Sequence, residues 1–217
     1  TFNRPEARNA LSSELLQALG SQLADGEINP EVRCVVITGT GAAFCAGGDV
    51  KAMPETNSNG AKSTLDTLIQ RQRLNQRATS GRLYKMPKPT LAVLPGPAAG
   101  AGLSIALACD LRIMSSTAFM TTAFAKVGFA GDYGGSLFMS QLVGTAKARE
   151  LYFLSDRISA KEAEDLGLTN WVVEPEALQE SAADIAQKLA NGPTVSYSYM
   201  KENLARALTS ADVHDCL

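Results

Sequence analysis

Two short stretches of small residues carry most of the chemistry to be expected of this chain. Phe44-Cys45-Ala46-Gly47-Gly48-Asp49 lies beyond an apolar run at 33–38, and Ala98-Ala99-Gly100-Ala101-Gly102-Leu103 lies beyond a second run at 90–94. Loops without large side chains let a ligand approach the backbone, and their N–H groups become available as donors. The second loop also opens a helix, whose N-terminus adds unsatisfied donors and partial positive charge. Two such loops converging on one oxygen would form an oxyanion hole, where a single lost donor costs about 3–4 kcal/mol of transition-state stabilisation. Each loop by itself reads equally well as a tight turn and a close-packed helix start.

Other chemistries have less to work with. His214 is the one histidine and lies near the end of a helical tail, which gives a Ser–His–Asp or Cys–His mechanism and a metal site no partner residues. The four cysteines (Cys34, Cys45, Cys109 and Cys216) form no CxxC pair, and three sit in apolar surroundings, so free thiols in a reducing, cytoplasmic compartment are expected. Gly39-Thr40-Gly41 after a strand mimics part of a dinucleotide fingerprint, but the third glycine is absent. A net charge of −2 gives no argument for nucleic acid or an anionic membrane, and no apolar run reaches membrane-spanning length. No targeting segment is visible from Thr1 onward, although the first residues read as the end of a strand.

The positioning elements follow from periodicity. Leu11, Leu15, Leu16, Leu19 and Leu23 predict a helix over 10–24, with Ser12 or Ser13 as N-cap. Strands are expected at 33–38, 90–94, 111–115 and 170–173, and a loop over 40–60. One long polar helix is expected from about 63 to 85, a compact buried helix at 103–109, and helices near 135–142, 145–154, 160–166, 176–191 and 195–208. Strands alternating with helices argue for an α/β fold with crossover connections, in a chain of 217 residues that is 45% hydrophobic.

Five blocks of this sequence resemble, in order, the enoyl-CoA hydratase/isomerase (crotonase) superfamily. Asn3-Arg4-Pro5 through Asn9-Ala10-Leu11 is similar to its N-R-P-x-x-x-N-A-L opening, 44–53 to F-x-A-G-x-D-[LIV], and 95–113 to G-x-x-x-G-x-G followed by C-D. Residues 127–136 and 158–173 resemble two further blocks. The resemblance implies a crotonase-like ββα spiral core over 1–175 with a C-terminal helical region over 176–217 that family members extend with further helices. It also implies an acyl-CoA thioester as substrate, fatty acid metabolism as a setting, and assembly as a homotrimer or dimer of trimers. Coenzyme A would then be part of the substrate, with no separate cofactor or metal.

Carried over by position, the oxyanion donors are the N–H groups of Gly48 and Ala101, within the substrate-lining stretches Ala46, Gly47, Gly48, Asp49, Val50 and Lys51 and Gly100, Ala101 and Gly102. Glu6, Ala7 and Arg8 match the segment that lines the pantetheine and adenine groove, and Lys51 a basic residue near CoA. Asp49 reads as a structural cap. Hydratases of the family carry two glutamates that position a water; Ser104 and Phe124 stand at those places here, and neither can act as a base near neutral pH.

Between 67 and 149 the carboxylates are Asp110 and Asp132. Asp110 begins a strand and reads as structural. Asp132, in Gly128-Phe129-Ala130-Gly131-Asp132-Tyr133-Gly134-Gly135, resembles the acidic residue of isomerase and dehalogenase branches, with Gly131 in place of a proline. It is equally a turn or N-cap aspartate. The expectation is an isomerase-type proton transfer with Asp132 as base. The alternatives are a hydratase-type lyase, nucleophilic use of Asp132 in dehalogenation or hydrolysis, and non-catalytic binding of CoA esters. Tyr133 is a candidate proton donor or thioester-orienting group, although an aromatic packed in a turn is the reading its place favours. Arg71, Arg73, Arg77, Arg82, Lys85 and Lys88 form either a solvated face or a phosphate-binding patch.

Overall fold

The computed structural model describes residues 1–49, 64–210, 212 and 214; Val50 and Lys51 lie outside them. The first helix, α1 (Ser13–Ile28), starts where Ser12 Oγ accepts the N–H of Leu15, so the N-cap is Ser12. Its leucines pack inward, Leu23 fully and Leu15, Leu16 and Leu19 in part. Four short parallel strands form the main sheet: β1 (Val35–Thr38), β2 (Thr90–Leu94), β4 (Leu111–Ser115) and β7 (Trp171–Val173), in the order β1-β2-β4-β7. All five residues of β2 are buried, as expected for a central strand covered on both faces.

A second, three-stranded sheet was not anticipated. It joins β3 (Ala98–Ala99), β5 (Phe119–Thr121) and β6 (Ile158–Ser159), with β3 and β5 parallel and β5 and β6 antiparallel. Between β3 and β4 runs α4 (Ala101–Ala108), every residue of which is buried. The expected long helix over 63–85 is two helices, α2 (Leu65–Ala78) and α3 (Ser80–Lys85), broken at Thr79. There the hydroxyls of Thr79 and Ser80 bond back to the carbonyls of Asn75 and Gln76.

The last part of the chain holds α5 (Gly135–Leu154), which is two helical stretches meeting at the non-helical Gly144 (φ 75°, ψ 164°) as the expected helices near 135–142 and 145–154 do, then α6 (Ala160–Asp165), α7 (Leu178–Asn191) and α8 (Thr194–Ala207). Leu178 and Ala182 of α7 pack on Leu91, Val93 and Ile113 of the main sheet. Lys201 of α8 bonds Asp110 Oδ2 at 2.7 Å, and Thr90 donates to the same oxygen, so Asp110 serves the fold as the sequence suggested. Among the described residues no helix is long and apolar enough to cross a membrane.

Candidate functional site

The opening segment ties down the first small-residue loop. Asn9 is fully buried; its Nδ2 donates to the carbonyls of Thr40 (3.0 Å) and Ala43 (2.8 Å), and its Oδ1 accepts the N–H of Arg4. Arg4 in turn donates to the Ala10 carbonyl at 2.7 Å and to Asp49 Oδ2 at 3.0 Å, so Asp49 has the structural role expected of it. Leu11 then pairs with Gly48 in parallel fashion: Leu11 N–H donates to Gly47 O, and Asp49 N–H donates to Leu11 O. In such a bridge the central residue's own N–H points to the opposite side. Gly48 N–H is thereby turned away from Leu11.

A second bridge aligns the two loops. Cys45 pairs with Ala98, and Ala99 N–H donates to Cys45 O at 2.9 Å. Gly100 follows at φ 51° and ψ −125°, a conformation that favours glycine, and Ala101 begins α4. The approach is close. A Cβ on Gly47 would lie 2.9 Å from Ala99 O and 3.6 Å from Ala101 N, and one on Gly102 would lie 2.5 Å from Cys45 O. Ala101 is not among the residues with positive φ, so an alanine at this place carries no left-handed strain. Among the described residues, neither Gly48 N–H nor Ala101 N–H has a hydrogen-bond acceptor.

Both donors line one pocket of about 120 Å³, together with Ala46, Gly47, Gly100, Thr122, Ala123, Phe124, Val127, Phe129 and Asp132. Asp132 is the one ionisable group among those lining residues. Gly131, Tyr133 and Gly134 all have positive φ, and this coil of left-handed residues turns the Asp132 side chain toward the pocket. Its Oδ1 is buried without a hydrogen-bond partner among the described residues, while Gln72 Nε2 approaches Oδ2 at 3.5 Å. Burial pushes the Asp132 carboxyl up to about 6, against a small opposing effect of Gln72.

Tyr133 is packed as an aromatic in its turn. It is buried in the core beside Phe138 and does not line this pocket; burial, Asp132 and Cys45 all push its phenol upward. Cys45 is buried and its thiol is raised to about 12, which leaves no thiolate to act as nucleophile. At the two places of the missing glutamates, Ser104 Oγ donates to Gly100 O at 3.2 Å inside the core, and Phe124 stacks on Tyr152 with ring centres 5.8 Å apart. Neither presents a base to the pocket. The residues invisible to sequence reasoning are Gln72, Gln76 and Tyr152, which reach the Asp132 loop from α2 and α5.

A larger cavity of about 440 Å³ adjoins the first through Ala46 and Ala123, which line both. Arg8, Lys126 and Arg157 stand on its wall and no carboxylate does. Arg8 lines this cavity, and Glu6 and Ala7 do not. The arginine patch divides: Arg82 pairs with Glu27 and Lys88 donates to the carbonyls of Gly26 and Asn29, while Arg71, Arg73 and Arg77 are exposed on α2. The Gly39–Gly41 turn opens no helix, and a Cβ on Gly39 would meet Ala43 O at 2.3 Å. Among the described residues no cluster of three or more His, Cys, Asp or Glu could hold a metal.

The family model described as enoyl-CoA hydratase/isomerase matches residues 1–216. The chain is 36% identical over 211 residues to a short-chain-enoyl-CoA hydratase of Clostridium acetobutylicum, covering 96% of this chain and 77% of that protein. It is 33% identical over 210 residues to a 1,2-epoxyphenylacetyl-CoA isomerase of Escherichia coli, covering 97% and 79%. The crystal structure of an enoyl-CoA hydratase from Polaromonas sp. JS666 superposes with a TM-score of 0.90 at 33% identity, covering 99% of this chain and 82% of the other. With its α/β fold, its paired loops and these likenesses, the chain belongs to the enoyl-CoA hydratase/isomerase (crotonase) family.

Proposed function

We propose that the protein moves a proton within an acyl-CoA thioester, with the N–H groups of Gly48 and Ala101 holding the thioester oxygen and Asp132 acting as base. One observation carries the reading: Asp132, whose Oδ1 is buried without a partner among the described residues, lines the same small pocket as two N–H groups that have no acceptor among those residues. A base removes a proton from the acidified carbon, the electron pair moves to the thioester oxygen, and the two donors stabilise the enolate until the proton returns elsewhere. Burial suits Asp132 to this task, because a carboxylate whose proton affinity is raised toward neutrality is a better base that is still largely ionised at pH 7.

Isomerisation of a β,γ-unsaturated acyl-CoA fits this arrangement better than hydration. Among the described residues lining the pocket Asp132 is the one carboxylate, and Ser104 and Phe124 occupy the two places of the hydratase glutamates without supplying a base. The 440 Å³ groove, cationic through Arg8, Lys126 and Arg157, suits the phosphates of coenzyme A leading into the smaller pocket. The relatives named hydratase and isomerase share the thioester substrate class and differ in the reaction, which is the choice the carboxylates bear on.

The test compares isomerisation of 3-hexenoyl-CoA with hydration of crotonyl-CoA, for the parent and Asp132→Asn. Isomerisation should dominate, and Asp132→Asn should lose about 10²–10⁴-fold in kcat with little change in KM. Full turnover by Asp132→Asn would exclude it as the base. An ester trapped on Asp132 and seen by mass spectrometry would assign it a nucleophilic role instead.

A further inference from the structure

Two side chains of α2 grip Asp132 and its loop from outside. Gln72 and Gln76 are four residues apart on α2 and so project from one face. Gln76 Oε1 accepts the N–H of Tyr133 at 3.0 Å, which fixes the residue after Asp132 in its left-handed conformation (φ 51°). One turn earlier, Gln72 Nε2 donates to Asp132 Oδ2 at 3.5 Å. Gln72 is exposed, so core packing does not account for the carboxamide at that position.

We propose that Gln72 is a positioning residue for the proton transfer, holding Oδ2 so that Oδ1 is the oxygen that takes the substrate proton, with Gln76 locking the loop beneath it. The proposal rests on the reading of Asp132 as base. An aspartate free to turn about its terminal torsion exchanges its two oxygens, and that torsion is broad and two-fold. A donor on one oxygen breaks the symmetry and leaves the other, which has no partner among the described residues, for the substrate proton. In the transfer, the substrate C–H bond breaks as Oδ1–H forms, and the electron pair passes to the thioester oxygen between Gly48 and Ala101. A long donor–acceptor distance in a ligand-free site is the ordinary case, since such bonds tighten when substrate is bound.

The choice of a neutral carboxamide is itself informative. A lysine or arginine at this place would stabilise the carboxylate strongly and weaken it as a base. An amide favours the ionised form only slightly, and burial dominates. Among the described residues, the ionisable groups facing Asp132 are the phenols of Tyr133 in its own loop and Tyr152 on α5, with the Cys45 thiol beside Tyr133. Arg73 and Arg77 of α2 line a neighbouring cavity with Tyr133, and neither contributes to the raised proton affinity of Asp132.

The test uses Gln72→Leu and Asp132→Asn in the whole protein, with two readouts. One is the pH profile of 3-hexenoyl-CoA isomerisation. The other is the titration of the Asp132 carboxyl by carbon NMR of aspartate-labelled protein, identified by its absence in Asp132→Asn, which needs no substrate. Gln72→Leu should fold normally, lower kcat about 5–30-fold with KM within twofold, and move both the Asp132 titration and the rising limb of the profile to higher pH. If Asp132→Asn is inactive while Gln72→Leu keeps the parent kcat and titration, the positioning role is overturned and the base reading survives. Full turnover by Asp132→Asn overturns both.

Discussion

Gly102→Ala probes the convergence of the two loops without touching a donor or the base. The new Cβ would lie 2.5 Å from Cys45 O and 2.7 Å from both Cys45 Cβ and Sγ. Carbon–oxygen contacts settle at about 3.3 Å or more, so α4 and the Cys45 strand must part by roughly 0.8 Å. That movement strains the 2.9 Å bond from Ala99 N–H to Cys45 O, the link that aligns the loops. The overpacking should cost about 1–3 kcal/mol of stability, a fall of several degrees in Tm for a chain of this size. The larger effect is catalytic. Displacing the Ala101 donor relative to Gly48 forfeits much of the ~3–4 kcal/mol that one oxyanion donor supplies, so kcat should fall about 10²-fold with KM nearly unchanged. Adding Cys45→Ala should not restore activity, because the nearest obstruction is the backbone oxygen. As a control, Gly26→Ala in α1, where a Cβ meets nothing nearer than 3.9 Å, should leave kcat unchanged. The assay is the appearance of the conjugated enoyl thioester by its ultraviolet absorbance (~10⁻⁵ M substrate upward, in the usual KM range), with Tm from circular dichroism. A folded Gly102→Ala protein with kcat within threefold of the parent would refute the idea that the donors must sit this close.

Three further outcomes follow from the same geometry. Burial raises the Asp132 carboxyl from an ordinary value of 3.8 to about 6, so its ionisation in the fold opposes stability, with no penalty below pH ~4 and the full penalty above pH ~6. Asp132→Asn should therefore be more stable than the parent at pH 8 by roughly 1–2 kcal/mol after solvent screening, with the gap closing below pH 4 in denaturant titrations. Arg4→Leu removes the donors to Ala10 O and Asp49 and should cost about 1–3 kcal/mol while lowering kcat, measured by urea unfolding and initial rates, because the Gly48 strand loses its brace. Lys126→Gln and Arg157→Gln should each raise KM for acyl-CoA several-fold and flatten its dependence on salt, while kcat stays near that of the parent.

The parts of the fold that were legible are those with a strong local signal. Thr90–Leu94 and Leu111–Ser115 are strands with the expected bounds, because each is a continuous run that the sheet buries from both sides and that turn residues delimit. The break at Thr79 was not legible, since Thr79 and Ser80 leave the helix only through bonds of their own hydroxyls to the preceding turn. Strands of two or three residues such as Ala98–Ala99 and Ile158–Ser159 carry no periodicity at all. In the site, small residues marked the two loops, but only the bridges Leu11–Gly48 and Cys45–Ala98 show where their N–H groups point. Gln72 and Gln76 look like ordinary polar positions of an exposed helix. Their i, i+4 spacing was visible, and the partner facing them was not.

A crystal structure with a slowly reacting β,γ-unsaturated acyl-CoA analogue bound tests the oxyanion hole and the base together. The thioester oxygen should lie 2.7–3.1 Å from both Gly48 N and Ala101 N, roughly the distances an oxyanion hole requires. Asp132 Oδ1 should then face the carbon that loses its proton. A thioester oxygen bonded to one of these N–H groups or to neither, or a ligand carbon out of reach of Asp132, would contradict the mechanism.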